Sequence, residues 1–285
     1  MKIALVSLLT FISVNFIIAQ TQPKPSLLWE VSGNGITKPS YLFGTFHLIC
    51  KEDFEITPTL KQKFNTTEKL FEEMKMDDPS IQMRMMAQLK SDKTLKELFD
   101  SNNYKILADS FQKITGVPLG FFNNYKPFLA TTMLTQRMLP CKEIIQPETE
   151  FIKLAKEKNI EVFGLETIED EMKAIDKMPL DSQLHSLLKT VGNFDSVKLM
   201  MASIVEVYKK RNPDELYKFM KSNGVDDAFE TAMLEVRNIN WLPTIITNLQ
   251  KQATFFAFGA GHLCGNNGII NLLRKKGYKV TPIQY

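Results

Sequence analysis

The chain has 285 residues, with 35 Lys and Arg against 32 Asp and Glu, for a formal net charge of +3. Such a small and evenly spread charge argues against a nucleic-acid-binding protein, which presents a concentrated basic surface. The length fits one large domain or two small ones, and no Pro- or Ser-rich linker divides it. We therefore expect a single domain over residues 27–285.

The N-terminus has the composition of a secretory signal peptide. Lys2 supplies one positive charge, an apolar run follows from Ile3, and the small residue Ala19 precedes Gln20. The run is too short and too interrupted for a membrane-spanning helix, which needs about 20 mainly apolar residues. We predict cleavage after Ala19, a loose segment over residues 20–26, and an exported protein, periplasmic or secreted, without a membrane span once the signal peptide (residues 1–19) is removed.

The residues that follow predict a β-hairpin. Leu27–Val31 is a strand-like apolar run, Asn34-Gly35 is a strong turn signal, and Tyr41–Gly44 is a second apolar run. The second strand leads directly into Thr45-Phe46-His47. This arrangement places His47 at the end of a strand.

A short helix and a third strand come next. Residues 58–67 carry apolar side chains at helical spacing, and Lys69–Met74 has the composition of a strand. Because side chains alternate across a strand, Glu73 and Glu72 should point to opposite faces. We expect Glu73 to face the interior and Glu72 to face solvent.

Two long helical blocks fill the middle of the chain. Residues 79–142 and 168–247 have helical patterns, and the short segment Glu161–Glu166 between them predicts a strand. Like Glu73, Glu166 therefore ends a predicted strand.

The C-terminal segment is the clearest unit of the sequence. Thr254–Phe258 predicts a buried strand, Gly259–Gly268 a glycine-rich loop, Ile269–Lys276 a helix and Tyr278–Ile283 a last strand. Strands thus cluster at the two ends of the chain and near residues 70 and 162. The predicted fold class is α+β, with a mixed β-sheet core from two related halves and helical insertions.

One phrase occurs twice. Residues 43–48 and 258–263 both read Phe-Gly-x-x-His-Leu, each directly after an apolar strand, and they contain two of only three histidines. The repeat predicts two equivalent strand ends that present His47 and His262 to one shared cleft. The third histidine, His185, has no such context and should lie on a helix surface.

Histidines delivered to a crevice at strand ends could bind a divalent metal, with carboxylates completing the ligand set. Glu73 and Glu166 are the candidates, because glutamate is unfavourable in strands unless it has a function there. The alternative is that each histidine only anchors its own loop. No GxSxG, HExxH or phosphate-binding glycine motif points to another chemistry.

The three cysteines, Cys50, Cys141 and Cys264, allow at most one intramolecular disulfide in an oxidising compartment. Loop-closure entropy does not choose between the pairings, because it grows only with the logarithm of loop length.

The chain resembles the TraB/GumN family, which includes the Tiki-like metalloproteases. The resemblance lies in the opening segment that ends at His47, in Gly164-Leu165-Glu166-Thr167, in Arg237-Asn238 followed by Trp241, and in Gly259-Ala260-Gly261-His262-Leu263. The matching segments occur in the family's order from residue 27 to the C-terminus.

This resemblance implies a peptidase that uses two Gly-x-x-His motifs and a divalent metal, manganese or cobalt, with zinc as an alternative. It implies that His47 and His262 are metal or active-site residues, that Glu73 and Glu166 are acidic partners, and that Arg237 clamps a substrate or a carboxylate. The chain departs from the family pattern at Gln146-Pro147-Glu148, where Gly-x-Asp is common, at Glu171, where Gln is common, and at Cys264, where Pro is common.

The resemblance also implies a Cys50–Cys141 disulfide with Cys264 free, and Cys50–Cys264 is the rival pairing. From these observations we predict an exported metal-dependent hydrolase, most simply a peptidase acting on a peptide or protein substrate. The alternative is a non-catalytic protein that binds a peptide or haem on the same scaffold. Retention of both histidines and both glutamates favours the enzyme.

Overall fold

The apolar runs near the two ends of the chain, and those near residues 70 and 162, form the strands of one sheet. The computed structural model describes residues 24–225 and 227–285, so the predicted signal peptide lies outside the described residues. The strands are β1 (Leu28–Ser32), β2 (Ser40–Thr45), β3 (Ile49–Cys50), β4 (Lys69–Glu72), β5 (Ile144–Ile145), β6 (Glu161–Gly164), β7 (Thr254–Gly259) and β8 (Lys279–Ile283).

Six of these strands form a mixed sheet in the order β6-β4-β7-β2-β1-β8, and β3 pairs with β5 in a separate two-stranded sheet. The strands β6, β4, β7 and β2 run parallel to one another, whereas β1 is antiparallel to both β2 and β8. Every residue of β2 and β7 is buried, which is typical of central strands covered on both faces. The expected α+β fold with a mixed sheet is confirmed.

The helices surround this sheet and also form the two long blocks between its strands. Their bounds are α1 (Pro58–Asn65), α2 (Ile81–Gln88), α3 (Leu95–Leu98), α4 (Ser101–Thr115), α5 (Pro127–Met138), α6 (Pro147–Glu157), α7 (Ile168–Asp176), α8 (Leu180–Gly192), α9 (Phe194–Lys209), α10 (Pro213–Ser222), α11 (Asp227–Glu230), α12 (Val236–Lys251) and α13 (Ile269–Lys275). Within the described part of the chain, no helix combines the length and the apolarity needed to cross a membrane.

Apolar side chains form one core around the sheet and a second core within the helical insertion. At the sheet, the rings of Phe151 and Phe255 have centroids 5.0 Å apart, and those of Phe43 and Phe151 are 5.3 Å apart. The second core is contributed by α3, α4, α5 and α8, with Leu107 and Phe111 fully buried in it. Part of the helical insertion therefore has a core of its own, separate from the core around the sheet.

The expected solvent position of Glu72 is wrong. Glu72 ends β4, and its exposed fraction is 0% because α6 packs against that strand. Both Glu72 carboxylate oxygens are buried without a hydrogen-bond partner among the described residues. Alternation along a strand assigns a side chain to one face of the sheet, but it does not say whether that face is covered.

The strand near residue 162 is shorter than expected, since β6 ends at Gly164. Its pairing with the β4 segment nevertheless continues, because the Leu165 and Glu166 amides donate to the carbonyls of Glu72 and Glu73 at 2.8 and 2.9 Å. A Cβ on Gly164 would lie 2.8 Å from the backbone nitrogen of Lys75, so the two backbone segments approach closely here. Glu73 and Glu166 are thereby held side by side beyond the strand ends.

The disulfide joins Cys50 to Cys141, with Cα atoms 5.7 Å apart, and Cys264 is free and buried. The pairing implied by the resemblance is confirmed, and the rival pairing Cys50–Cys264 is wrong. The first described residues are also fixed in part: Ser26, at the end of the segment expected to be loose, is buried and donates a hydrogen bond to the Ile283 carbonyl at 2.5 Å.

Candidate active site at the sheet edge

The two copies of the repeated phrase end neighbouring parallel strands. In the pairing of β2 with β7, Gly44 lies opposite Phe258 and Thr45 lies opposite Gly259. The two phrases are therefore offset by one residue but leave the sheet at the same edge, as parallel strands must. His47 and His262 both lie just beyond this edge. After β2 the chain is irregular at His47, and after β7 it forms a short 3₁₀ turn that ends at His262.

His47 is oriented by a carboxylate from α6. Its Nδ1 lies 2.8 Å from Oε1 of Glu148, and the Thr45 hydroxyl donates to the same oxygen at 2.6 Å. Glu148 lies in the first turn of α6, where the helix dipole favours negative charge. The Nε2 of His47 faces Oε1 of Glu73 at 3.5 Å, and the side chain is 58% exposed to the cleft.

His262 is oriented by an amide from α12. Its Nδ1 lies 2.7 Å from Oδ1 of Asn238, whose amide nitrogen donates to the carbonyls of His262 and Asn267. Because those bonds fix the amide orientation, Nδ1 of His262 carries the proton and Nε2 keeps its lone pair. The His262 ring packs against Trp241 with centroids 4.4 Å apart, and Nε2 lies 3.6 Å from Oε1 of Glu73.

Glu73 lies between the two histidines and is held by the backbone. The Gly259 amide donates to Oε1 of Glu73 at 2.7 Å. A Cβ on Gly259 would lie 2.8 Å from Nε2 of His47 and 3.2 Å from Oε1 of Glu73. Glycine is therefore required at this position by the close approach of the two side chains.

Arg237 closes the inner side of the site from α12, directly after a π-helical turn over Thr231–Glu235. Its guanidinium donates to Oε2 of Glu73 at 2.6 Å and, through Nε, to Oε1 of Glu166 at 2.9 Å. The Trp241 indole donates to the other oxygen of Glu166 at 3.0 Å. Arg237 thus clamps two carboxylates of the protein itself.

The charges give the two histidines different pKa values. Burial lowers the pKa of His262 to about 3, and the Arg237 cation adds to this effect, so His262 is neutral. The protein around the partly exposed His47 side chain displaces water and so lowers its pKa, but the carboxylates of Glu73 and Glu148 outweigh this effect and raise the pKa. His47, His262 and Arg237 in turn hold the pKa of Glu73 well below its usual range, against the effect of burial.

The structure brings His47, Glu73, Glu166, Arg237 and His262 together at one sheet edge. A family model described as the TraB/PrgY/gumN family matches residues 27–282 of the chain. The chain belongs to this family.

Curated relatives of this TraB-family chain carry the name metalloprotease. TIKI2 of Danio rerio is 22% identical over 326 residues, which cover 91% of this chain and 61% of that protein. TIKI1 of Danio rerio is 21% identical over 90% of this chain and 63% of its own length, and the TIKI homolog of Nematostella vectensis is 20% identical over 91% and 67%. The chain therefore spans less than two thirds of the first two relatives. No solved structure matches it.

The TraB-family site has the donors that a divalent metal uses. Two imidazole Nε2 atoms face one carboxylate oxygen, and each ring is held through Nδ1, which is the arrangement of metal-ligating histidines. Among the described residues, however, one group of three or more possible ligands has its ligand atoms all within 4.8 Å of one another. That group is Cys50, Glu52 and Cys141, and its two cysteines form the disulfide. The donor types fit a metal, while the two histidines stand further apart than in a closed ligand shell.

Several residues of the site could not be assigned a role from the sequence. Glu148, in the segment where the chain departs from the family's Gly-x-Asp, orients His47. Asn238 is buried beside Arg237, and Trp241 lies one helical turn further on, so all three share one face of α12. That spacing is the signal that could have predicted their common role. Glu171, on α7, lines the cleft, and its carboxylate has no hydrogen-bond partner among the described residues.

Proposed function

We propose that this TraB-family protein is an exported metal-dependent peptidase with its active site at His47, Glu73 and His262. The observation that carries the proposal is the convergence of two oriented imidazole Nε2 atoms on Oε1 of Glu73, at 3.5 and 3.6 Å. The metalloprotease names of its relatives support the same reading. Manganese or cobalt is the ion we expect, with zinc as the alternative.

In this proposal, His47, His262 and the Glu73 carboxylate hold the ion. A divalent ion bound there would supply electrophilic activation of a scissile carbonyl and of a water molecule. Glu148 and Asn238 keep the imidazoles oriented, because each accepts a hydrogen bond from an Nδ1. The negative charge of Glu73 and the neutral state of His262 are both suited to ligation, and His47 would release its proton on binding the ion.

Arg237 and Glu166 act as positioning residues in this proposal. The Arg237 guanidinium is already engaged by Glu73 and Glu166, so it holds the Glu73 carboxylate in place and offers little to a substrate carboxylate. Glu166 accepts hydrogen bonds from both Arg237 and Trp241, which leaves it poorly placed to exchange protons with a substrate.

Glu171 is the carboxylate that we assign to proton transfer. It lines the same cleft as His47, Glu73 and Arg237 and is free of hydrogen bonds from the described residues. Burial raises the pKa of Glu171 to about 7, near the value that suits a general base at neutral pH. An unpartnered carboxylate with this pKa can accept a proton from water and return it to a leaving amine.

A non-catalytic ligand-binding protein is the second candidate. The observation in its favour is that Nη1 of Arg237 lies 3.3 Å from Nε2 of His262, where the guanidinium occupies the lone pair that a metal needs. Under this reading the site would bind a peptide without hydrolysing it.

A metal-dependent peptidase assay separates the two candidates. Purified protein is treated with a chelator, reloaded separately with Mn²⁺, Co²⁺ or Zn²⁺, and incubated with a quenched-fluorescence peptide library. We expect hydrolysis with at least one ion, and its loss in His47→Ala and His262→Ala. The matched control is His185→Ala, because His185 is exposed on α8. Hydrolysis that is insensitive to the chelator and to both site substitutions would contradict the proposal.

A further inference from the structure

Two cavities meet at the His47–Glu73 pair. One has a volume of about 370 Å³ and the other of about 270 Å³. Their common wall consists of His47, Leu48, Glu73, Phe128 and Glu171. A bound peptide that crosses the His47–Glu73 pair would therefore have one cavity on each side of that pair.

The larger cavity lies towards His262 and α10. Its inner wall includes Leu216, Met220 and Leu234, and a Cβ on Gly261 would lie 3.4 Å from both Met220 and Leu234. The cavity therefore offers an apolar surface directly beside His262. A large apolar side chain fits such a space and gains free energy by leaving water.

The smaller cavity lies on the other side, towards α2 and α7. Four methionines line it, together with Leu89 and Phe128. Methionine is flexible and polarizable, so such a wall adapts to different apolar side chains. These lining methionines are Met74, Met76, Met85 and Met172.

The charges of both cavities disfavour acidic side chains. Glu73 and Glu171 line both, and Glu72 and Glu148 line the smaller one. No lysine occurs among the described residues that line either cavity, and Arg237 is already paired with Glu73 and Glu166. An acidic side chain would therefore find no lysine and no unpaired arginine to offset the cost of burying its charge.

We infer that the substrate is an extended peptide or an unfolded protein segment that carries a large apolar side chain on each side of the scissile bond and no acidic side chain at either position. This inference rests on the proposed peptidase function and names the substrate class of that site. It assigns one apolar side chain to the larger cavity and the other to the smaller cavity.

Two substitutions on one helix test the cavities separately. Thr135 lines the larger cavity and Thr132 lines the smaller one, both on α5 and both only partly buried. In Thr135→Phe and Thr132→Phe the added ring fills one cavity and leaves the other open. Gln136→Phe is the control, because Gln136 is exposed on the same helix and lines neither cavity.

The assay profiles each variant with quenched peptides in which the residues flanking the cleaved bond are Leu, Ala or Glu. For wild type we expect Leu to be preferred over Ala by about tenfold in kcat/KM at each position, as expected for a few methylenes in an apolar pocket. Glu should be the poorest substrate residue. Thr132→Phe and Thr135→Phe should each lose the preference for Leu at one of the two positions, and the position should differ between them. Gln136→Phe should keep the preference for Leu at both positions.

Binding of a non-cleavable peptide with Leu at both positions, measured by calorimetry, separates this inference from the peptidase proposal. Binding that each Phe variant weakens supports the cavity assignment even if no peptide is hydrolysed, in which case the peptidase proposal fails. Hydrolysis by wild type without a preference for apolar residues, or with preferences that neither Phe variant changes, overturns the inference and leaves the peptidase proposal standing.

Discussion

Gly259 and His47 come from different copies of the repeated phrase, and each fits only because of the other. A Cβ at position 259 would lie 2.8 Å from Nε2 of His47, and the Gly259 amide donates to Glu73 at 2.7 Å. The glycine of the second phrase therefore leaves the space that the histidine of the first phrase occupies. The repeat encodes one site shared by two strands.

The first prediction concerns this contact. Gly259→Ala should displace the His47 ring and the Glu73 carboxylate, and a misplacement on the order of 1 Å can lower activity about 10²-fold. The control is Gly192→Ala at the end of α8, where an added Cβ meets nothing within 4 Å and the residue lines neither cavity. Steady-state peptidase kinetics on both variants check the prediction. Equal activity in the two variants would show that the close contact has no role in catalysis.

The second prediction concerns the buried charges. Arg237→Met should lower the free energy of unfolding by about 3–5 kcal/mol, because it leaves the Glu73 and Glu166 carboxylates buried without their partner. The double variant Arg237→Met/Glu166→Gln should lose less than the single variant. Arg84→Met is the control, since its ion pair with Glu169 is partly exposed and is worth about 1 kcal/mol or less. Urea unfolding measures all three, and a similar loss in Arg84→Met would refute the assignment.

The third prediction concerns Glu72. Burial, and then the nearby Glu148 and Asp77 carboxylates, raise the pKa of Glu72 to about 9. The folded protein thus keeps a proton that the unfolded chain releases above its ordinary pKa, so stability falls as pH rises, by up to about 1.4 kcal/mol per pH unit. Glu72→Gln should remove this slope between roughly pH 5 and pH 8. Urea unfolding at several pH values gives the slope, and identical slopes in variant and wild type would contradict the prediction.

The fourth prediction concerns Glu171. If Glu171 accepts a proton during catalysis, it acts in its charged form, and kcat/KM should rise as pH increases through its pKa of about 7. Glu171→Gln should reduce kcat and abolish this rise while metal content stays unchanged. A pH profile of the metal-loaded enzyme measures both effects. If kcat/KM still rises with pH in Glu171→Gln, the titrating group is a residue other than Glu171.

The repeated phrase was sufficient to predict that His47 and His262 lie together, because parallel neighbours end at the same sheet edge. Alternation in β4 predicted the direction of Glu73, and the same rule failed for Glu72 because it cannot tell which faces of a sheet are covered. The orienting partners Glu148 and Asn238 lie 101 and 24 residues from their histidines. Such pairings depend on how α6 and α12 dock against the sheet, which the local pattern does not specify.

The role of Arg237 also changed once its neighbours were known. The resemblance allowed a clamp for a substrate or for a carboxylate, and the distances of 2.6 and 2.9 Å to Glu73 and Glu166 favour the protein's own carboxylates. The two cavities could not be predicted at all, since Thr132 and Thr135 face different sides of the His47–Glu73 pair only because of the path of α5 across the cleft.

The central claim, that His47 and His262 ligate one divalent ion, is tested most directly by the visible absorption of the Co²⁺-loaded protein. We predict d–d bands that saturate at one Co²⁺ per chain and that are altered or lost in both His47→Ala and His262→Ala, while His185→Ala matches wild type. Bands that are unchanged in both site variants, or Co²⁺ binding that needs neither histidine, would contradict the account.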